Sequence, residues 1–262
     1  MDRTVLPGGV ELIFGEDRRI AQVWLVRPEV RNAQTVATWA SLARAAELIA
    51  DRPDVSAVLL RGAGTDFSAG LDLRMLTGTA PDGEGDLASL LEGDDDAVER
   101  AIAAFQQGFT CWRGLGAVVV AVVTGRAIGA GFQLALGADL RVLSADAMLV
   151  MGEATLGLVP DLGGTRRLVE LVGYPRALEI CATARPVDAE HARRLGLADL
   201  VVDDADLETA VEAYLAGFLA VDPATSRAVK SLMKDASSRT GDEQLAAERA
   251  AQIALLRRLR LS

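Results

Sequence analysis

The sequence is poor in the residues from which metal centres and disulfide frameworks are built. Its 262 residues contain one histidine, His191, and two cysteines, Cys111 and Cys181. Two thiols so far apart in the chain form neither a disulfide framework nor a spaced set of metal ligands. We therefore expect no metal site, and we expect both thiols to lie in the core.

Basic residues are also scarce relative to acidic ones. Lysine and arginine total 27 against 37 aspartates and glutamates, which gives a formal net charge of -10. Such a surface repels nucleic acid and anionic membranes, so neither is expected as a partner. The apolar run at residues 117–123 is too short to span a bilayer, and the N-terminus lacks the pattern of a secretory signal. These features predict a cytoplasmic protein.

Aromatic residues make up only 4% of the chain, so the core must rely on alanine, valine and leucine. Strand patterns, glycine-rich turns and helical patterns alternate along residues 1–202, which predicts an α/β fold with right-handed crossovers. Residues 203–262 carry only helical patterns and are predicted to form a separate helical region. Residues 77–96, rich in Gly and Asp, predict a mobile acidic loop with room for one helical turn.

Two glycine-rich turns are candidates for chemistry. Residues 66–73 (DFSAGLDL) follow a buried strand, and their small side chains let the backbone approach a ligand closely. Residues 125–132 (GRAIGAGF) follow a second buried strand and open a helix, whose first amides favour a developing negative charge. Tight structural packing of strand, turn and helix is the alternative explanation for each turn.

A third candidate is the run at residues 151–165, which holds two carboxylates among apolar residues. Burial in such surroundings raises the pKa of a carboxyl group toward values useful for a general base. Glu153 and Asp161 are therefore candidate bases. The alternative is that Asp161 caps a helix and Glu153 is solvated.

Together these segments resemble the crotonase, or enoyl-CoA hydratase/isomerase, superfamily. Five stretches occur in the family's order: RPEVRNA, DFSAGLDL, GRAIGAGFQLALGADLRV, GEATLGLVPDLGGTRRL and RALEICATARPVDAEHARRLGLADLVV. The resemblance implies a crotonase-like spiral of ββα units, with C-terminal helices that mediate trimers and, often, hexamers. It also implies an oxyanion hole formed by the backbone amides of Leu71 and Ala130, although most relatives have glycine at the second position.

The resemblance further implies contacts with the coenzyme A part of an acyl-CoA substrate, and no separate cofactor. Arg31 matches a basic position near the CoA phosphates, and Lys230 matches a basic position in the C-terminal region. The backbone around Ala33, Ser68 and Ala69 would lie against the adenine and pantetheine portions. For both basic residues, a solvated surface charge is the alternative.

The reaction depends on which carboxylates are present. Hydratases of the family use two glutamates, and the matching positions here are Gln133 and Glu153. An amide side chain cannot take a proton from water, although Gln133 could orient one. A lone glutamate resembles the family's enoyl-CoA isomerases, so isomerisation or hydration with Glu153 as general acid/base is the favoured reaction.

Two alternatives stay open. Asp161 lies in a VPDLGG setting that resembles relatives in which this aspartate is the base, for example in ring isomerisation. Gln133 and Ala130 also fit an acyl-CoA-binding protein that has lost catalysis.

Overall fold

The computed structural model describes residues 2–16, 18–80, 84, 86–90 and 92–260. Within them, the main sheet has seven strands in the order β1-β2-β3-β4-β5-β7-β10. The first three strands pair antiparallel, and the remaining pairs are parallel. The strands are β1 Asp2–Leu6, β2 Val10–Phe14, β3 Ile20–Leu25, β4 Ala57–Gly62, β5 Val118–Val123, β7 Leu140–Ser144 and β10 Leu200–Val202.

A second, smaller sheet lies at the carboxyl ends of the parallel strands. It contains β6 Arg126–Ile128, β8 Met148–Val150 and β9 Val187–Asp188, in the order β6-β8-β9. An isolated parallel bridge joins Ser68 to Ala127, so the two glycine-rich turns run side by side.

The helices of the described residues alternate with the strands up to β10 and then continue alone. They are α1 Val36–Ala50, α2 Leu87–Leu90, α3 Asp95–Thr110, α4 Ala130–Gly137, α5 Gly164–Val172, α6 Tyr174–Thr183, α7 Ala189–Leu195, α8 Leu207–Leu219, α9 Pro223–Asp235 and α10 Gly241–Leu259. None of these helices is both long enough and apolar enough to cross a membrane.

The main sheet is buried on both faces, which explains its continuous apolar strands. Every residue of β5 is buried, and successive side chains enter opposite cores because the period of a strand is two. Val119 and Ala121 pack with α1, α3 and α4, whereas Val118 and Val120 pack with α8. Valine, leucine and alanine therefore do form most of the core, as the scarcity of aromatics predicted.

Most of the predicted elements are present, with differences at their edges. The apolar run at residues 117–123 forms β5, and the patterns of residues 1–202 correspond to strands and helices that alternate along the chain. The helix predicted to open at the second glycine-rich turn, residues 125–132, begins at Ala130. The loop predicted over 77–96 holds the short helix α2, and α3 already starts at Asp95, capped by the Asp94 side chain. Residues 81–83, 85 and 91 of that loop lie outside the described residues.

Candidate functional site

A cavity of about 800 Å³ opens where the two glycine-rich turns meet α3 and the segment after β8. Most of its wall is apolar, and the polar groups include three carboxylates: Glu153, Asp161 and Asp72, the last of which pairs with Arg74. Leu71 and Ala130 also line it, so the fold brings both candidate bases and both predicted amide positions to one cavity. A mainly apolar cleft with a few convergent polar groups is the usual form of a small-molecule site.

The amides of Leu71 and Ala130 are available to a ligand. In the described part of the chain, neither amide donates a hydrogen bond to another protein group. Gly70 brings them together, since its φ of +83° and the lack of a side chain allow close contact between the turns. A β-carbon at Gly70 would collide with the Ile128 carbonyl oxygen and would lie 3.4 Å from the Ala130 nitrogen. Alanine at 130 leaves its amide free, because it is the first residue of α4.

The first turn is held from inside by the side chain of Ser68. Its Oγ donates to the Asn32 carbonyl oxygen at 2.8 Å and accepts from Gln34 Nε2 at 3.0 Å and from the Gly70 amide at 3.1 Å. Gln34 is itself fixed, because its Oε1 accepts from Trp39 Nε1 at 3.0 Å. Sequence reasoning missed Asn32 and Gln34 as supports of this turn, since their partners lie more than thirty residues away.

Glu153 has two carboxylate oxygens in different environments. Oε1 accepts a 2.6 Å hydrogen bond from Gln133 Nε2, whereas Oε2 is buried without a hydrogen-bond partner among the described residues. Burial raises the pKa of Glu153 above its usual value and the charge of Asp161 adds to this rise, while hydrogen bonds from its own backbone and from Gln133 oppose it. A carboxylate with one held oxygen and one unpartnered oxygen is suited to carry a proton.

The side chain of Gln133 is buried behind Glu153 and is not part of the cavity wall. Its Oε1 accepts from the Leu162 amide at 2.9 Å and from the Gly164 amide at 3.2 Å. These two donors fix which end of the amide faces Glu153, because only Nε2 can donate to a carboxylate. Gln133 is thus placed to hold the carboxylate rather than to contact a water in the cavity.

Asp161 lies on the same wall as Glu153. Burial raises the pKa of its carboxyl group above the usual value, and its backbone carbonyl oxygen accepts from Gln106 Nε2 at 2.7 Å. The structure therefore does not separate the two candidate bases by location, because both are half-buried in one cavity.

Of the five predicted CoA-contacting residues, two line the cavity and three do not. Ala33 and Ala69 line the cavity, whereas Ser68 is fully buried beneath it. Arg31 does not line the cavity; 62% of its side chain is exposed, and its Nε lies 3.8 Å from Asp66 Oδ2. The Lys230 ammonium group lies elsewhere, where it donates to Asp139 Oδ2 at 2.6 Å and to the Ala117 carbonyl oxygen at 2.7 Å.

Thus the structure of this chain does not bring Lys230 to the cavity. Its position in the C-terminal pattern suggested a cation that reaches CoA, but burial beside Asp139 gives it an internal ionic partner. The cationic residue that does line the cavity is Arg74, which sequence reasoning missed. Its guanidinium group pairs with Asp72 through contacts of 2.9 and 2.6 Å.

The two thiols play no part in this site. Neither cysteine lines the cavity, and burial raises the pKa of Cys111 to about 12, which keeps it protonated at neutral pH. Among the described residues, no group of three or more His, Cys, Asp and Glu side chains is arranged to hold a metal ion.

Comparison with known proteins gives a consistent result. The family model described as Enoyl-CoA hydratase/isomerase matches residues 15–258. A Mycobacterium tuberculosis protein named "Probable enoyl-CoA hydratase EchA17" is 35% identical over 234 residues, which cover 89% of this chain and 84% of that protein. The peroxisomal Delta(3,5)-Delta(2,4)-dienoyl-CoA isomerase of Arabidopsis thaliana is 30% identical over 190 residues, or 71% of this chain and 66% of that protein.

A solved structure supports the same assignment. A Thermobifida fusca YX protein described as "a putative enoyl-CoA hydratase", in complex with acetoacetyl-CoA, superposes with a TM-score of 0.90 at 44% identity. The match covers 96% of each chain, and it confirms the predicted crotonase fold with its C-terminal helices. Fold, motif order and relatives agree, and the chain therefore belongs to the enoyl-CoA hydratase/isomerase family, the crotonases.

Proposed function

We propose that this protein binds an enoyl-CoA thioester in the cavity and moves its double bond, with Glu153 as the proton carrier. The observation that carries this proposal is the arrangement of one cavity wall. The backbone amides of Leu71 and Ala130 and one oxygen of Glu153 line it, and none of the three has a hydrogen-bond partner within the described chain. The relative crystallised with acetoacetyl-CoA supports a thioester as the ligand.

The reaction needs no group that the site lacks. The thioester carbonyl oxygen accepts hydrogen bonds from Leu71 N and Ala130 N, and Glu153 removes a proton from C2. The C2–H electron pair moves into the thioester to form an enolate, whose negative charge the two amides stabilise. The protonated Glu153 then returns the proton at C4 as the double bond shifts to C2–C3. Each such donor lowers the barrier by roughly 3–4 kcal/mol in well-studied enzymes.

The presence of glutamine at position 133 favours isomerisation over hydration. Hydration requires a second group that exchanges a proton with water, and a glutamine amide cannot do this. The Oε1 of Gln133 is already occupied by the amides of Leu162 and Gly164, so the side chain is committed to holding Glu153. Gln133 then acts as a positioning residue in the proposed reaction.

A second candidate is isomerisation of a dienoyl-CoA with Asp161 as a second proton carrier. Asp161 and Glu153 line one cavity, and burial raises the pKa of both. The similarity to the Arabidopsis dienoyl-CoA isomerase favours this candidate over ring isomerisation, the other reaction in which Asp161 would be the base. A shift across a longer conjugated system needs a proton removed at one carbon and delivered at a distant one, which two carboxylates can divide between them.

Three measurements distinguish these possibilities. Deuterium uptake at C2 of a saturated acyl-CoA reports enolate formation, and a protein that only binds acyl-CoA would bind without exchange. Conversion of a 3-enoyl-CoA to its conjugated 2-enoyl isomer reports the favoured reaction. For the second, a 3,5-dienoyl-CoA should give a 2,4-dienoyl-CoA, whose diene is conjugated with the thioester and absorbs at longer wavelength. Glu153→Gln should abolish the first two, whereas full turnover of a 3-enoyl-CoA by Glu153→Gln combined with inactivity of Asp161→Asn would assign the base to Asp161.

We also propose that residues 203–262 assemble the protein into a homotrimer or hexamer. In the isolated chain, α9 and α10 expose large apolar side chains that burial would stabilise: Val229, Met233, Leu245, Ile253 and Leu256. Light scattering coupled to size-exclusion chromatography should give three or six times the 27.6 kDa chain mass. A monomer at micromolar concentration would contradict this proposal.

A further inference from the structure

A second cavity, of about 510 Å³, lies on the far side of Gln133 from the first. It is bounded by the end of α3, by α4 and α5, and by the segment that follows α9. Gln133 and Leu162 line it, and Leu162 also lines the first cavity. Apart from Gln133, which positions Glu153 from behind, the proposed reaction uses no group of this second cavity.

Its wall is cationic although the chain as a whole is anionic. Arg113, Arg166, Arg167 and Lys234 all line it. Three of these cations share one carboxylate, Glu170, with contacts of 3.1 Å from Arg113, 3.0 Å from Arg166 and 3.3 Å from Arg167. A single carboxylate offers about four lone-pair sites, so three guanidinium groups cannot all be fully paired by it.

The fourth cation, Lys234, also shares its carboxylate with another cation. Lys234 Nζ lies 3.9 Å from Asp235 Oδ1, and the other oxygen of Asp235 accepts from Arg239 at 3.1 Å. Four cationic side chains therefore face two carboxylates, one of which is shared with a fifth cation. Five cations against two carboxylates leave a formal excess of three positive charges at this wall.

Arg167 is the least exposed of the four cations that line the second cavity. Only 18% of its side chain is exposed, and its Nε–H is buried without a hydrogen-bond partner in the described chain. Burial lowers the pKa of its guanidinium group, and the charge of Arg113 lowers it further. A buried donor without a partner is unfavourable, and an anion in the cavity would satisfy it.

We propose that this second cavity binds a phosphate-type dianion, either free inorganic phosphate or the phosphate group of a small ester. Guanidinium groups present paired N–H donors that match two oxygens of a phosphate, and a dianion would neutralise most of the charge excess at the wall. Because the site is separate from Glu153 and the two free amides, binding can be measured whether or not the protein is an isomerase.

The test is isothermal titration of the purified protein with inorganic phosphate at constant ionic strength, with chloride as the balancing anion. We expect saturable binding that Lys234→Gln and Arg113→Met each weaken by about tenfold, the usual effect of losing one charge-assisted contact. Arg193→Met is the matched control, because Arg193 pairs with Glu190 on the exposed surface of α7 and should leave binding unchanged.

Adenosine 3′,5′-bisphosphate identifies the source of the phosphate. If it displaces inorganic phosphate from the wild type and binds the Arg113→Met and Lys234→Gln variants more weakly, the site accepts phosphate esters. If it does not displace phosphate, the site is specific for the free anion. Lys234 is partly exposed, so Lys234→Gln should fold even if Arg113→Met does not. Absence of saturable phosphate binding, or equal binding by all variants, would overturn the proposal.

Discussion

Gln133 donates a 2.6 Å hydrogen bond to Glu153 while two backbone amides, from Leu162 and Gly164, hold its own carbonyl oxygen. This arrangement explains how a glutamine can occupy a position where hydratases carry a glutamate. In the proposed reaction Gln133 contributes no proton and only keeps one oxygen of Glu153 in place. The other oxygen has no hydrogen-bond partner among the described residues, which suits the proposed proton transfer.

Removing the Gln133 amide should shift the pH dependence of the reaction. The hydrogen bond from Gln133 favours the charged form of Glu153 and so lowers its pKa. Gln133→Met removes that donor, so the pKa of Glu153 should rise and the acidic limb of kcat/KM against pH should move to higher pH. The direct measurement is a ¹³C NMR titration of the Glu153 carboxyl group without substrate, and an unchanged titration would show that Gln133 has no positioning role.

Gln133→Glu is the informative comparison. It would place two carboxyl groups at hydrogen-bond distance, and like charges so close cannot both ionise readily. We expect the pair to share a proton over a wide pH range. We also expect hydration of a 2-enoyl-CoA to increase relative to isomerisation, because the second hydratase carboxyl group is restored. Unchanged relative rates would mean that the residue at 133 does not select the reaction.

Glu153→Gln should remove proton transfer without removing the site. Loss of a general acid/base typically lowers a rate by about 10²–10⁴-fold, and we expect a loss in this range for both C2 exchange and isomerisation. Acyl-CoA affinity should change little, since the amides of Leu71 and Ala130 remain. Glu179→Gln is the matched control, because Glu179 lies on α6 with 57% of its side chain exposed and pairs with Arg185.

Folding stability should also depend on the two buried carboxyl groups. Their pKa values are raised in the folded protein above the usual 4.5 for Glu153 and 3.8 for Asp161. Their contribution to stability is therefore present below these values and is lost as pH rises through the folded-state pKa. The double variant Glu153→Gln/Asp161→Asn has no titrating group at these two positions. Its free energy of unfolding should therefore increase relative to that of the wild type as pH rises above about 4.

Urea denaturation between pH 4 and pH 8 measures this difference. Glu190→Gln is a control for which the opposite change is expected, because hydrogen bonding to Arg193 lowers the pKa of Glu190. Any change in the free energy of unfolding of that variant should be a decrease relative to the wild type as pH rises. A double variant whose stability runs parallel to the wild type would contradict the raised pKa values.

Gly129→Ala tests how closely Glu153 is confined. A β-carbon there would lie 3.3 Å from Glu153 Oε1, and the φ of +50° is unfavourable for alanine. We expect a stability loss of about 1–2 kcal/mol from the backbone alone, together with lower activity. Gly217 lies on the exposed side of α8, and a β-carbon there would have no atom within 4 Å. Gly217→Ala should therefore raise the free energy of unfolding by up to about 1 kcal/mol, because alanine favours a helix over glycine. Full activity in Gly129→Ala would show that the carboxylate has more room.

The apolar wall on α3 should set the acyl-chain preference. Ile102 lines the first cavity, and a larger side chain there would shorten the space for the acyl group. Each methylene that can no longer be buried costs about 0.8 kcal/mol, or about fourfold in kcat/KM. Ile102→Phe should therefore favour short acyl-CoA substrates, whereas Ala103→Phe, on the exposed side of α3, should not. Identical chain-length profiles would place the acyl group elsewhere.

The sequence by itself determined the features that depend on local residue types. Glycine at 70 and 129 is required by left-handed backbone conformations, and the apolar run of β5 predicts a strand buried on both faces. The order of the motifs identifies the family, and it points to Glu153 and to the amides of Leu71 and Ala130.

Only the tertiary structure decided which distant side chains meet. Gln133 lies against Glu153, twenty residues away, and Lys230 pairs with Asp139, ninety-one residues away, rather than reaching the cavity. The cationic second cavity likewise joins α3, α5 and α9. Such partnerships depend on how the elements pack, because a hydrogen bond or ion pair between distant residues forms only when the fold sets its distance and removes competing water.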